Sequence, residues 1–412
     1  MSLEWKSCKI GDLGKIFSGG TPSTKIKEYW DGDLNWLSSG ETRNTYIYTT
    51  DKFITEEGAN NSSTKLANKG DIVIASAGQG FTRGQSSMVM IDTYVNQSVI
   101  VISPNDKVNN HYLLYNLKFR YPELRQLSDH ASTRGSLTTK IIKGLDINLP
   151  DLNTQNKIAI IIQYFDKKIE TNKRINKNLV TLAKTIFRDK FIFYKGYESH
   201  MIKTDFGEIP DTFEVKSIDE ISKEVICGKT PSTKVEENYG NKMPFITIPD
   251  MHGNVFVINT ERKLSEIGIQ SQIKKILPKN SICVSCIATA GLVSLTSEES
   301  QTNQQINSII CKDSVSPYFV YLYMEELSEY VKMLGSGGST TLNLNKREFG
   351  KIELVIPPQK DMIKFHGQIS PLFDKIKSNQ YEINYLTKLR DTLLPKLMSG
   401  ELDVSEINCD LE

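Results

Sequence analysis

The sequence has no apolar run approaching the roughly 18–20 residues that span a bilayer. Its opening, MSLEWKSCKIGD, has no hydrophobic core behind its first lysine, so neither a membrane span nor export is expected. Cysteines are few, six in 412 residues. They are expected to be reduced thiols of a cytoplasmic protein rather than a disulfide frame. Cys283 and Cys286 form one C-x-x-C, but SICVSCI reads as a strand, where side chains three apart point to opposite faces. That argues against a shared zinc ion, and the five histidines contain no H-x-x-x-H pair.

The marks of common catalysts are missing too. CGKT at 227–230 lacks the upstream glycine of a phosphate-binding loop. GQGFTRG lacks the G-x-G-x-x-G spacing of a dinucleotide site, and no G-x-S-x-G nucleophile elbow occurs. The one Pro-Pro, Pro357-Pro358, is followed by Gln359 rather than by the aromatic residue of an amino-methyltransferase. No cofactor, no metal and no catalytic residue are expected. The charge is nearly balanced, at +1, which neither requires nor excludes nucleic acid, because a DNA-binding face needs only local basicity.

What is present is a repeat. Ser18-Gly19-Gly20-Thr21-Pro22-Ser23-Thr24-Lys25 returns as Cys227-Gly228-Lys229-Thr230-Pro231-Ser232-Thr233-Lys234. Trp5, Ile10 and Leu13 recur as Phe213, Ile218 and Ile221, Trp36-Leu37 as Phe245-Ile246, and Asn96-Gln97 as Asn303-Gln304. Leu145, Ile147 and Leu149 before Pro150 match Ile352, Leu354 and Ile356 before Pro357. A chance TPST match would not bring its neighbours with it at a nearly constant offset. The chain reads as a tandem duplication.

Each copy begins with about 150 residues of short strands and polar turns. IVIASA, SVIVIS and LDINLP correspond to ICVSCI, INSII and IELVIP, and one helix per copy is expected around Leu113–Leu117 and Tyr318–Met324. After the prolines the apolar spacing becomes heptad-like. Ile158, Ile162, Phe165, Ile169, Asn172, Asn176, Leu179, Ala183 and Ile186 mark a helix over about 154–190. Phe365, Ile369, Leu372, Ile376, Asn379, Ile383 and Leu386, then Leu393 and Leu397, mark a second over about 361–398, with Arg390 breaking the register. Such helices need a partner, and the simplest is the other copy. A pseudo-two-fold axis would make them antiparallel and bring Asn172 and Asn379, both near the helix midpoints, together.

Two mixed domains, each followed by a long helix, resemble the specificity subunits of type I restriction-modification systems. The GGTPST-type loops, the NQ before a strand, GEIPDTFEVKSI at 207–218 and LLPKLMSGEL at 393–402 carry the likeness over nearly the full chain. It implies an α+β fold: two target-recognition domains separated by two long antiparallel coiled-coil helices. The divisions are 1–152, a central spacer helix 153–195, a second domain 196–358, and a C-terminal helix and tail 359–412. It also implies a non-catalytic subunit that reads a bipartite, asymmetric site in double-stranded DNA. Modification (methyltransferase) subunits and restriction (ATP-dependent translocase and nuclease) subunits would dock on it. The other reading is a stand-alone DNA-binding regulator that dimerises through its helices.

Base reading uses Arg or Lys to guanine and Asn or Gln to adenine. Three loops of the first copy offer such groups: Ser38, Arg43 and Asn44; then Gln79, Thr82, Arg83 and Gln85; then His130, Ser132, Thr133, Arg134 and Lys140. The second copy offers Lys229 and Lys234, His252 and Asn254, Thr289, and finally Ser339, Thr340, Asn343 and Lys346. Any of these loops could equally be plain solvated surface. Asn96-Gln97 and Asn303-Gln304, repeated before buried strands, read as hydrogen-bond anchors rather than base readers. Trp30 reads as core.

Overall fold

The structure, a computed structural model, describes residues 5–130, 135–335 and 344–407. The chain divides into two compact units, Met1–Lys167 with Lys388–Glu412, and Lys168–Thr387. Each long helix contributes to both.

In the first unit a five-stranded sheet runs in the order Gly14–Ser18, Val99–Pro104, Ile72–Ala75, Ser86–Val89, Tyr46–Ile47. The second unit repeats it strand for strand as Ser222–Cys227, Ile306–Cys311, Ile282–Ser285, Val293–Thr296, Phe256–Val257. A further pairing is also repeated, Lys6–Lys9 with Asp146–Leu149 and Glu214–Ser217 with Glu353–Ile356. The duplication read from the sequence is therefore a duplication of topology.

The central strand Ile72–Ala75 is buried at all four positions because both of its faces are covered. Ile72 and Ile74 point to the helical core with Tyr112, Leu113 and Ile158, while Val73 joins Leu37, Val89 and Val101 on the other face. Its counterpart divides in the same way: Ile282, Val284 and Cys286 face the helical core and Cys283 the other. The two cysteines of the C-x-x-C thus go to different cores, and burial pushes both thiols up to about 12. Trp30 is half-buried and packs edge-on against the buried Trp36, 5.0 Å between ring centroids.

The first long helix spans Leu152–Phe191 and the second Gln359–Ser399, within about two residues of the boundaries read from the heptads. Asp151 starts the first, accepting from the Thr154 amide (3.0 Å) and hydroxyl (2.9 Å), which holds its carboxyl below the usual range. The second follows Pro357-Pro358 and stops at Gly400, which takes the left-handed φ of +77° that ends many helices.

Within the second unit the helices run antiparallel, since Asn172 meets Glu382, Asn176 meets Ile376, and Lys190 meets Gln368. Ile162, Ile169, Ile369, Ile376 and Leu386 are buried, and Phe165, Leu179, Leu372 and Ile383 are half-buried. Asn172 and Asn379 are both buried, yet they do not bond each other. Asn379 Nδ2 donates to Asn176 Oδ1 (2.8 Å) and Asn172 Nδ2 to Glu382 Oε2 (2.8 Å). Helical side chains lean toward their own N-terminus. In an antiparallel pair, equivalent residues therefore lean past one another and meet the next turn instead. Asn379 Oδ1 is buried with no partner. Replacing Asn176 and Asn379 together by leucine is expected to raise stability by about 1–3 kcal/mol while loosening helix register. A lower denaturation midpoint in the double variant would show that the amides contribute net stability.

Candidate nucleic-acid interface

The loop between Ile72–Ala75 and Ser86–Val89 is the centre of the first cluster. The SSGETRN segment lies against it, with Ser87 Oγ donating to the Asn44 carbonyl (2.6 Å) and the Met88 amide to that of Thr45 (2.9 Å). Beyond the helix Tyr121–His130 the chain returns to it, the Leu137 amide donating to the Ser76 carbonyl (2.9 Å). The Tyr121 hydroxyl holds the loop tip by donating to the Phe81 carbonyl (3.0 Å). The three loops chosen from sequence therefore come together at one end of one hairpin.

The second unit builds the same cluster with two of the same bonds and a third that differs. Ser294 Oγ donates to the Asn254 carbonyl (2.7 Å), the Leu344 amide to the Cys286 carbonyl (3.0 Å), and Ser328 Oγ to the Gly291 carbonyl (2.7 Å). Ser294, Leu344 and Ser328 stand at the repeat positions of Ser87, Leu137 and Tyr121. Gly291, however, corresponds to Gly84, each amide donating back across its hairpin to the carbonyl of Ser285 or Ala75. Ser328 therefore holds the base of its loop where Tyr121 holds the tip. Two braces are repeated and the tips are not.

In the first cluster Arg43, Asn44, Gln79 and Lys140 are exposed, and Phe81 at the tip is 82% exposed. A guanidinium and two amides suit the edges of guanine and adenine. In the second, Lys229, Lys234, His252, Thr289 and Lys346 are exposed. Gly20 and Lys229 differ for a steric reason. A Cβ on Gly20 would lie 2.0 Å from Ser63 Oγ, whereas the Lys229 side chain is free to point outward.

Several chosen groups are already engaged. Arg83 is only 12% exposed, pairs with Asp129 and donates to the Gly135 carbonyl (2.9 Å). Gly135 has a φ of +57°, and a Cβ there would sit 1.9 Å from Arg83 Nη1. Arg83 is thus a brace for the loop cluster rather than a free base reader. Ser38 is spent on a helix cap with Glu41, and the Asn254 amide donates to the Asp250 carbonyl (3.0 Å) while accepting from Gln380. Thr82 and Gln85 are half-buried in the hairpin loop. Ser132, Thr133, Arg134, Ser339, Thr340 and Asn343 lie outside the described residues, as does the side chain of His130.

The repeated NQ pairs are anchors. Thr21 Oγ1 donates to Gln97 Oε1, and Thr230 Oγ1 to Gln304 Oε1 (2.6 Å), tying each TPST loop to its strand. Sequence reasoning missed Tyr121, which holds the first tip, Ser328, which holds the base of the second loop, and Tyr48, an exposed aromatic (67%) just past the strand Tyr46–Ile47. Only the alternation Tyr46, Ile47, Tyr48, with the middle residue buried, signals the last.

The profile of the type I restriction modification DNA specificity domain matches residues 2–181 and again 210–388. The chain belongs to this family. It is 32% identical to the type I restriction enzyme HindI specificity subunit of Haemophilus influenzae, over 97% of this chain and 100% of that one. It is 31% identical to the MjaIX specificity subunit of Methanocaldococcus jannaschii, over 98% and 95%. The crystal structure of a type I restriction-modification S subunit from M. genitalium superposes with a TM-score of 0.62 at 17% identity, covering 96% of each chain, a likeness of fold.

Among the described residues no group of His, Cys, Asp and Glu is placed to hold a metal ion, and no helix is long and apolar enough to cross a membrane.

Arg83→Ala is expected to lower the denaturation midpoint along with DNA affinity, because it releases the loop cluster. Arg43→Ala is expected to cost about 1–3 kcal/mol of specific binding, with the midpoint unchanged, where it contacts a base. A phosphate contact would instead weaken all sequences alike and lower the salt slope by about one. Equal effects of the two variants on the midpoint would contradict this division.

Proposed function

We propose that this chain is a cytoplasmic, non-catalytic subunit that reads a bipartite, asymmetric site in double-stranded DNA, one loop cluster to each part. It directs methyltransferase and restriction partners to that site. The observation that carries the reading is the pair of loop clusters set on repeated strands and two repeated braces but tipped with different residues. Identical scaffolds with unlike tips recognise two unlike sequences. The domains are assigned as 1–152 and 196–358, with the long helices as the partner-docking elements between and after them.

Methylation-sensitive sequencing of the host genome tests this. Modified adenines in a two-part motif are expected, and they are expected to vanish when the gene is deleted. An unchanged pattern, or loss of a single continuous motif, would overturn the reading. Purified alone, the chain is expected to transfer no methyl group and hydrolyse no ATP, and activity is expected only when the partners are added.

A further inference from the structure

Arg390, which interrupts the heptad register of the second helix, has a partner. Arg390 Nη1 donates to Asp166 Oδ1 (2.6 Å), and the Asp166 side chain is only 5% exposed. The Tyr115 hydroxyl donates to Asp166 Oδ2 (2.9 Å) and lies 3.0 Å from the Tyr46 hydroxyl. Arg390 also reaches Asp391 (2.8 Å), and Lys118, its ammonium pulled down by burial, stands in the field of Asp166, Arg390 and Asp391. All of this lies within the first unit.

The repeat positions in the second unit hold a different set. Tyr46, Tyr115 and Asp166 become Phe256, Leu322 and Phe373, while Arg390 and Asp391 become Ala183 and Lys184. There Phe373 stacks on Tyr318 at 4.3 Å and lies 6.3 Å from Phe256, and Ala183 is fully buried. Lys118 becomes Glu325, which pairs with Lys184 at 2.8 Å. One seat is polar with a cation facing Asp391. The other is apolar with the rim charges reversed.

From this difference we infer that the seat formed by Tyr46, Tyr115, Lys118 and Asp166 selects the end of the second long helix of its own chain and rejects the equivalent arm of the first helix from a second copy. With Ala183-Lys184 seated there, Asp166 would be buried without the guanidinium that bonds it, and Lys184 would face Lys118. Conversely, Arg390-Asp391 in the second unit would put a guanidinium against Phe373 and a carboxylate against Glu325. Each wrong pairing strips a charged group of its bonded partner and adds a like-charge contact. Duplicated halves with interchangeable arms would otherwise exchange them between copies. This inference is independent of what the loop clusters bind.

The full-length chain tests it. Asp391→Lys is expected to lower the melting temperature by roughly 5 °C or more, and adding Lys118→Glu, which recreates the second unit's ion pair, to restore most of it. A second variant makes the two seats alike: Tyr46→Phe, Tyr115→Leu, Lys118→Glu, Asp166→Phe, Arg390→Ala and Asp391→Lys. Light scattering after refolding is expected to show the dimer-to-monomer ratio several-fold above that of the unaltered chain. Failure of Lys118→Glu to rescue Asp391→Lys would overturn the inference, as would a folded equalised chain with an unchanged ratio. If the equalised chain does not fold, rescue or its absence in the two-residue exchange decides.

Discussion

Exchanging residues 1–150 for the corresponding region of a relative will replace one half of the methylated DNA motif and leave the other half as it was. The change is all-or-none in its half, because the exchange carries all three loops of the first cluster with their braces. Ser87, Tyr121 and Leu137 hold the segments around Asn44, Phe81 and Ser76, and all of these lie before Pro150. The junction falls before Asp151, whose cap on Thr154 stays with the first long helix. The second cluster keeps its own braces, Ser294, Ser328 and Leu344. The graft must still meet Asp166 and Arg390, so a donor lacking the tyrosines and the lysine at positions 46, 115 and 118 needs them restored. The motif is read by methylation-sensitive sequencing of cells carrying the chimera with its partners. A change in both halves, or in neither, would show that the clusters do not read independently.

The repeat, the strand pairs and both long helices were legible because each rests on periodicity, and a two- or 3.5-residue period survives in a single sequence. Side-chain commitments were less legible. Arg83 has the type and setting of a base reader, but Asp129 and Gly135, distant in sequence, claim it. Arg390 interrupts the spacing of the seam, and only the fold sets Asp166 opposite it. Both depend on contacts that only the fold creates. Ser38 is a different case: Ser38-Ser39-Gly40-Glu41 is the S-x-x-E pattern of a helix cap, and its commitment was open to reading. Asn172 and Asn379 are both buried, but they bond Glu382 and Asn176 rather than each other, which follows from the lean of helical side chains in an antiparallel pair.

Gly19→Ala and Gly228→Ala will each destabilise their own unit by about 3 kcal/mol or more, the upper end of what overpacking costs. These glycines occupy equivalent places in the two TPST loops. A Cβ on Gly19 would lie 1.9 Å from the Val95 carbonyl oxygen, and one on Gly228 2.2 Å from that of Asn303. Both obstacles are backbone, so no rotamer change relieves them. The oxygens are also in use or in the way of bonds that hold the loop. Val95 O accepts from the Gly20 amide (3.1 Å) and from Thr64 Oγ1 (2.9 Å), and the Lys229 amide donates to Thr302 O (2.9 Å) beside Asn303. Moving either loop outward stretches those bonds and the Thr–Gln tie that follows. By comparison, Gln97→Ala or Gln304→Ala removes only that tie and is expected to cost about 1 kcal/mol. Denaturant unfolding separates the two classes, and DNA binding adds a directional check. Gly19→Ala is expected to weaken recognition of one part of the target, and Gly228→Ala the other. Midpoints unchanged from the unaltered chain would mean the loops can shift freely, and the close backbone approach would then have no structural consequence.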